Sequence, residues 1–158
     1  MSVTIREARP DDVDALVRFV HELAAYEREP ESCHLTADQL HAALFGGAPA
    51  VFASVATLDD EVAAMALWFV TFSTWTGVHG VHLEDLYVSP AHRRHGLARA
   101  LLADLARTCL DRGWSRLEWA VLDWNTPALD FYATLSSVPM TGWTTHRVDG
   151  DALRALAT

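Results

Sequence analysis

Three extended segments follow one another without a helix between them, and helical segments stand on both sides. That change of hydrophobic period constrains the fold more than any other feature of the chain. Residues 50–57 (AVFASVAT) and 62–72 read as strands, joined by a turn at Asp59–Asp60. Residues 81–88 (VHLEDLYV) form a third strand, which Pro90 ends. Before them, apolar residues recur at Val13, Leu16, Val17, Val20, Leu23 and Ala24, one face of a helix from Asp11 to about Arg28. Thr36 and Gln39 form a capping-box pattern for a second helix that ends near Gly46–Gly47. After them, residues 94–112 return to helical spacing and Arg112–Gly113 closes that helix.

The flanks complete the pattern. Residues 3–7 alternate as a short strand and 115–122 (SRLEWAVL) as another. Residues 126–136 read as a helix with Pro127 in its first turn, 143–148 as a last strand and 150–157 as a short helix. A hairpin beside strand–helix–strand runs predicts an α/β fold: a mixed, mostly antiparallel sheet with helices on both faces. No linker, repeat or charge block divides the 158 residues, so residues 1–158 are expected to form a single domain.

Charge and composition narrow the function. The net charge of −9 argues against nucleic acid or an anionic membrane as the main partner, because phosphates need clustered cations. It is compatible with a cationic ligand. Two cysteines, Cys33 and Cys109, make neither a disulfide framework nor a CxxC site. His79/His82 and His92/His95 lack the companions of a tetrahedral metal set, so no metal is expected. The N-terminus lacks the apolar core of a signal peptide, and the longest apolar run, residues 62–70, is far below the ~18 residues of a membrane span. The expectation is a cytoplasmic protein.

The segment Arg93-Arg94-His95-Gly96-Leu97-Ala98 lies between a strand and a helix. The first turn of a helix has N–H groups without internal partners, and its dipole favours an anion. A glycine there lets a phosphate approach the backbone, and Arg93, Arg94 and Arg99 add cations. As a bare pattern it also fits a solvated basic helix start. It is neither GxxxxGK[ST] nor GxGxxG, so a P-loop or Rossmann site is disfavoured.

This strand–(R/Q)xxGx(G/A)–helix unit resembles the pyrophosphate loop of the GCN5-related N-acetyltransferase (GNAT) superfamily. One branch, the spermidine/spermine (diamine) and thialysine N-acetyltransferases, resembles the chain over nearly its whole length. The matching stretches are LAAYE (23–27), STWTG (73–77), HLEDLYV (82–88), RRHGLA (93–98), WAVLDWNTPALDFY (119–132) and GW (142–143). The resemblance implies the single-domain GNAT fold, transfer of acetyl from acetyl-CoA to a primary amine in a ternary complex, and a homodimer.

It also implies roles. The loop Arg93, Arg94, His95, Gly96, Leu97, Ala98, with Arg99, takes the cofactor pyrophosphate. The backbone of Leu86, Tyr87 and Val88 pairs with the pantetheine arm like an added strand. The Val88 N–H, or one nearby, hydrogen-bonds the thioester oxygen. Asn125 caps the following helix or binds the pantetheine arm.

For the chemistry, magnitude decides. An alkylammonium has a pKa of about 10.4, so roughly one molecule in a thousand is neutral at physiological pH. A positioned base contributes ~10²–10⁴ in rate. The family pattern favours Glu84 acting through a water. Glu84 and Asp85 are adjacent in a strand, and alternation predicts that only one of them faces a given pocket. Tyr132 is the expected acid. A phenol lies about 1.5 units above a thiol, so Tyr132 is expected to act largely by hydrogen-bonding the developing thiolate.

The resemblance places acceptor contacts on Tyr26, Glu27, Ser73, Trp75 and Glu84, with Trp119 close by. Carboxylates and an aromatic wall suit a cationic chain. Trp68, Trp114 and Trp124 read as structural. The expected acceptor is a small polyamine, diamine or thialysine-like amine. The alternatives are a bulkier amine (an aminoglycoside or a protein lysine) and a non-catalytic acyl-CoA-binding module. One departure from the family stands out: Leu135-Ser136-Ser137 replaces a glycine-containing turn after Tyr132, so a serine either strains a left-handed cap or shifts the helix end.

Overall fold

A computed structural model describes all 158 residues. The chain divides into two compact units, Met1–Ala120 and Val121–Thr158.

The first unit holds a five-stranded sheet in the order β1 (Val3–Glu7), β2 (Phe52–Leu58), β3 (Glu61–Ser73), β4 (Val78–Val88), β5 (Leu117–Trp119). The first four strands are antiparallel and β5 runs parallel to β4. The mixed, mostly antiparallel sheet is the one expected. Asp59 and Asp60 turn β2 into β3 with φ of 49° and 68°, the left-handed pair that a two-residue hairpin requires.

Two helices, α1 (Val13–Tyr26) and α2 (Ala37–Phe45), cover one face. Their Val13, Leu16, Phe19, Leu40 and Leu44 pack with Ala53, Val55, Met65, Leu67 and Tyr87, one core cluster. The third helix, α3 (Leu97–Asp111), packs on the other face through Leu97, Leu101, Leu102, Leu105 and Cys109. A half-buried ion pair fastens the entry to α1. Arg6 donates to both oxygens of Asp12 at 2.7 and 3.0 Å and holds its carboxyl below the usual range.

Local signals worked as physics requires. Thr36 and Gln39 make the reciprocal capping box at the start of α2. Gly113, at φ 69°, ends α3 in the left-handed conformation.

Several boundaries differ from the sequence reading. α1 begins at Val13, because Pro10–Asp12 form a separate 3-10 turn. α3 begins at Leu97, because Arg94 and Gly96 both have positive φ and cannot continue a helix. β5 spans three residues, since it pairs with β4 only from Val81 to Leu83. The expected strand at 143–148 does not form: no strand pairs with it and its residues are exposed.

The second unit contains α4 (Thr126–Ala133) and α5 (Gly150–Leu156). The serine departure takes both of its predicted consequences. α4 ends at Ala133, and Ser136 sits left-handed at φ 60°.

No helix is long and apolar enough to cross a membrane.

Candidate active site

The site residues of the first unit are positioned by β4, and one irregularity decides how. Leu83 stands opposite Trp68 and Asp85 opposite Leu67, so Glu84 has no counterpart on β3. It is the extra residue of a β-bulge. On either side the pleat is regular: Tyr87, opposite Met65, belongs to the α1 core, whereas Leu86 alternates to the other face. Asp85, level with Leu67, therefore shares the α1 face with Tyr87. Glu84 shares it too, in line with His82, whose Nε2 is 3.7 Å from Glu84 Oε2. The expectation that only one of the two carboxylates faces a given pocket is overturned, because alternation fails across a bulge.

This geometry gathers charge. Burial pushes the Asp85 carboxyl up to about 6, and the nearby charges of Glu84 and Glu27 add to the rise. Burial also raises Glu27, which follows α1 as its C-cap. The side chain of Glu84 is 60% exposed. Three carboxylates thus meet on one face, one of them at the cost of desolvation. They are not arranged to hold a metal ion. Sequence reasoning missed Asp85, and no sequence signal marks a bulge.

The same strand offers a free edge. β5 pairs with β4 as far as Leu83–Trp119 and then ends, so no strand pairs with residues 84–88 on that side. Tyr87 can contribute only backbone there. Its ring is in the core, 5.4 Å from Phe19, and its Oη donates to Glu22 Oε2 at 2.8 Å.

β4 leads through a 3-10 turn at Pro90–His92 into the basic loop. Ser89 N–H donates to Ala63 O at 2.9 Å, Arg93 Nε to Val88 O at 3.4 Å, and His95 Nδ1 lies 3.1 Å from His92 O. Arg94 is left-handed at φ 66° and Gly96 at 73°. The N-cap of α3 is Gly96, which has no side chain to cap the helix, and no acidic residue lies in the first turn. The N-terminus of a helix favours an anion, and a Cβ on Gly96 would meet nothing within 4 Å. Leu97 is 2% exposed, so only its amide can serve there. The chemistry of this donor set, a helix N-terminus at a glycine flanked by Arg93, Arg94 and Arg99, fits a pyrophosphate.

Other expected residues of the first unit lie further out. Tyr26 ends α1 and is half-exposed. Ser73 closes β3, where its Oγ accepts the Thr76 amide at 3.3 Å, and Trp75 at the hairpin tip is 87% exposed. Ser73 is level with Val78, six residues before Glu84 and about 20 Å away along the strand. The structure does not bring Ser73 together with Glu84. Trp119 is level with Leu83, and alternation puts it on the face opposite His82 and Glu84. In the second unit, Asn125 caps α4, its Oδ1 accepting the Ala128 amide at 3.4 Å, and Tyr132 lies in the last turns of that helix, its carbonyl accepting Ser137 Oγ at 2.9 Å.

Comparison with known proteins shows the family. Residues 16–136 match the model of the Acetyltransferase (GNAT) family. The thialysine N-epsilon-acetyltransferase of Caenorhabditis elegans is 42% identical over 151 residues, 94% of this chain and 92% of that protein. The enzyme of the same name from Sus scrofa is 36% identical, over 99% of this chain and 98% of that one. Among solved structures, an integron cassette protein from the mobile metagenome of V. cholerae superposes with a TM-score of 0.82 at 24% identity, covering 99% of this chain and 98% of its own. Members of the family generally use acetyl-CoA as acyl donor, and the chain is an acetyltransferase of the GNAT family.

Proposed function

We propose that this acetyltransferase moves the acetyl group of acetyl-CoA to a primary amine of a small cationic acceptor: a polyamine, a diamine or a thialysine-like amine. The observation that carries the reading is the meeting of Glu27, Glu84 and Asp85 on one face of β4, beside its unpaired edge. A cluster of carboxylates that raises one of its own members is relieved when a cation arrives. The names of the relatives from C. elegans and Sus scrofa support the thialysine-like end of that class.

When bound, the thioester supplies the acetyl carbonyl. Its phosphates are assigned to the backbone of Gly96, Leu97 and Ala98 at the start of α3 and to Arg93, Arg94 and Arg99, with His95 fixing the loop. Its pantetheine arm is assigned to the backbone of Leu86, Tyr87 and Val88, with Asn125. Glu84 takes the ammonium proton through a water. Tyr132 holds a proton at Oη and donates a hydrogen bond to the departing sulfur. Glu27, Tyr26 and Asp85 hold the acceptor. Trp119, on the face opposite Glu84, is given no part in holding the acceptor, and Ser73 and Trp75 serve an acceptor long enough to reach them. The working form is a homodimer, a reading supported by exposed Val138 and Met140 in the second unit.

Thiol release from acetyl-CoA tests this across spermidine, spermine, putrescine, thialysine, lysine and an aminoglycoside. Turnover with a small cationic amine, lost in Glu84→Gln and lowered in Tyr132→Phe with CoA binding intact, is the expected result. Silence with every amine overturns the reading. Native mass measurement finding only 17 kDa species at micromolar concentration overturns the dimer.

A further inference from the structure

Glu84 has a neighbour to which the reaction above gives no task. His82 lies two residues earlier on β4, with Nε2 3.7 Å from Glu84 Oε2. Its ring stacks on Phe69 of β3, with centroids 4.8 Å apart and planes at 27°. On the other side β5 sets Glu118 level with it, and Glu118 Oε1 is 3.8 Å from Arg116 Nη1. The charged groups around His82 are therefore Glu84 and Asp85 on its own strand, Glu118 and Arg116 on β5, and Glu27 after α1, which acts on Asp85. Phe69 is the contact from β3. The His82 side chain is 31% exposed, so the ring has a route to water.

A carboxylate is poorly matched to keep a proton taken from an ammonium. Ordinary glutamate titrates near 4.3, about six units below the amine, whereas ordinary imidazole is about two units more basic than glutamate. We propose that His82 is the positioning and relay residue of Glu84: it holds the carboxylate toward the acceptor amine, receives the ammonium proton from it and releases that proton to solvent. The inference rests on the reading of Glu84 as the base. The balance is simple. An N–H bond of the acceptor ammonium breaks, and the electron pair stays on nitrogen for the attack. The intervening water gains that proton and gives one to Glu84, and the O–H bond so formed breaks as an N–H bond forms at His82 Nε2. The imidazolium then loses a ring proton to water. The 3.7 Å separation lies outside the hydrogen-bond range, and such contacts in unliganded enzymes tighten when substrate binds.

His82→Phe keeps the stack on Phe69 and removes the titrating nitrogens; His82→Asn keeps a polar group instead. Both are measured for kcat and acceptor KM between pH 6 and 10 with acetyl-CoA saturating, beside wild type and Glu84→Gln. The expected result is a kcat about tenfold lower at pH 7 in both, with acceptor KM within twofold of wild type. The loss shrinks toward pH 10, where the amine arrives neutral. In a third variant, His82→Ala, which leaves a cavity in place of the ring, added imidazole restores kcat in proportion to its concentration. Wild-type kcat and pH profile in both variants overturn the proposal, as does a loss equal at every pH; if Glu84→Gln is dead in that same experiment, the reading of Glu84 stands alone. Full activity in Glu84→Gln, or no amine turned over by wild type, overturns that reading and this inference with it.

Discussion

Glu84 and Asp85 are neighbours in the chain and lie on the same side of the sheet. The bulge that puts them there costs β4 one pairing position and forces two carboxyl groups together with Glu27. A fold optimised for stability alone would alternate them. The strain is electrostatic and it sits beside the free edge of β4, where a cationic acceptor would remove it.

Asp85 makes the strain measurable. Its carboxyl is pushed up to about 6, first by burial and then by Glu84 and Glu27. An acid raised in this way binds its proton more tightly in the folded than in the unfolded chain. Folding is therefore helped by acid, and the stability contribution is lost as pH rises from the unfolded value of about 3.9 through 6. A shift of about two units corresponds to roughly 3 kcal/mol. Asp85→Asn should match wild type near pH 4 and exceed its stability by up to that amount at pH 7.5. Urea titrations at the two pH values check this; an Asn variant less stable at pH 7.5 than at pH 4, relative to wild type, contradicts it.

Gly96 tests the loop. At φ 73° an alanine pays about 1–2 kcal/mol for the left-handed conformation, although its Cβ would meet no protein atom within 4 Å. Gly96→Ala should unfold at modestly lower urea and bind CoA at least tenfold more weakly, because the methyl occupies the approach to the amides. Calorimetric titration with CoA reads the second effect. Unchanged affinity would remove the loop from the phosphate site.

Gly80 tests the seam between β4 and β5. A Cβ there would lie 2.7 Å from Arg116 O, the acceptor of the Val81 amide at 3.0 Å. Gly80→Ala should push that carbonyl away and cost about 1–3 kcal/mol. Faster hydrogen exchange at the Val81 amide, with slower exchange in the α1 core unaffected, is the specific signature.

Much of this was legible before any coordinates, wherever the signal was local. Thr36 and Gln39 announce α2, Asp59–Asp60 the hairpin, and Gly113 the end of α3, because caps and turns are decided within a few residues. The bulge at Glu84 was not legible, since it is a mismatch of register between strands: Trp68 pairs with Leu83 and Leu67 with Asp85, and the letters LED read the same in a regular pleat. Residues 143–148 carry strand-like letters and pair with nothing, because a strand is made by its neighbour. The sequence named Glu27 and Glu84; it could not name Asp85, whose place depends on the break in alternation between them.

Ser136 offers the cleanest thermodynamic test of a local reading. It sits at φ 60°, three residues after α4 ends, in a conformation that costs an L-residue about 1–2 kcal/mol and a glycine almost nothing. Against that gain, glycine gives up entropy in the unfolded chain, of the order of 0.4–1 kcal/mol. The left-handed cost is the larger, so Ser136→Gly should stabilise the protein by roughly 0.5–1 kcal/mol. Ser137 Oγ, which donates to Tyr132 O at 2.9 Å, is untouched by the change. The midpoint of urea unfolding should rise with an unchanged slope. A lower midpoint would mean that the serine hydroxyl, rather than its backbone, decides the end of α4.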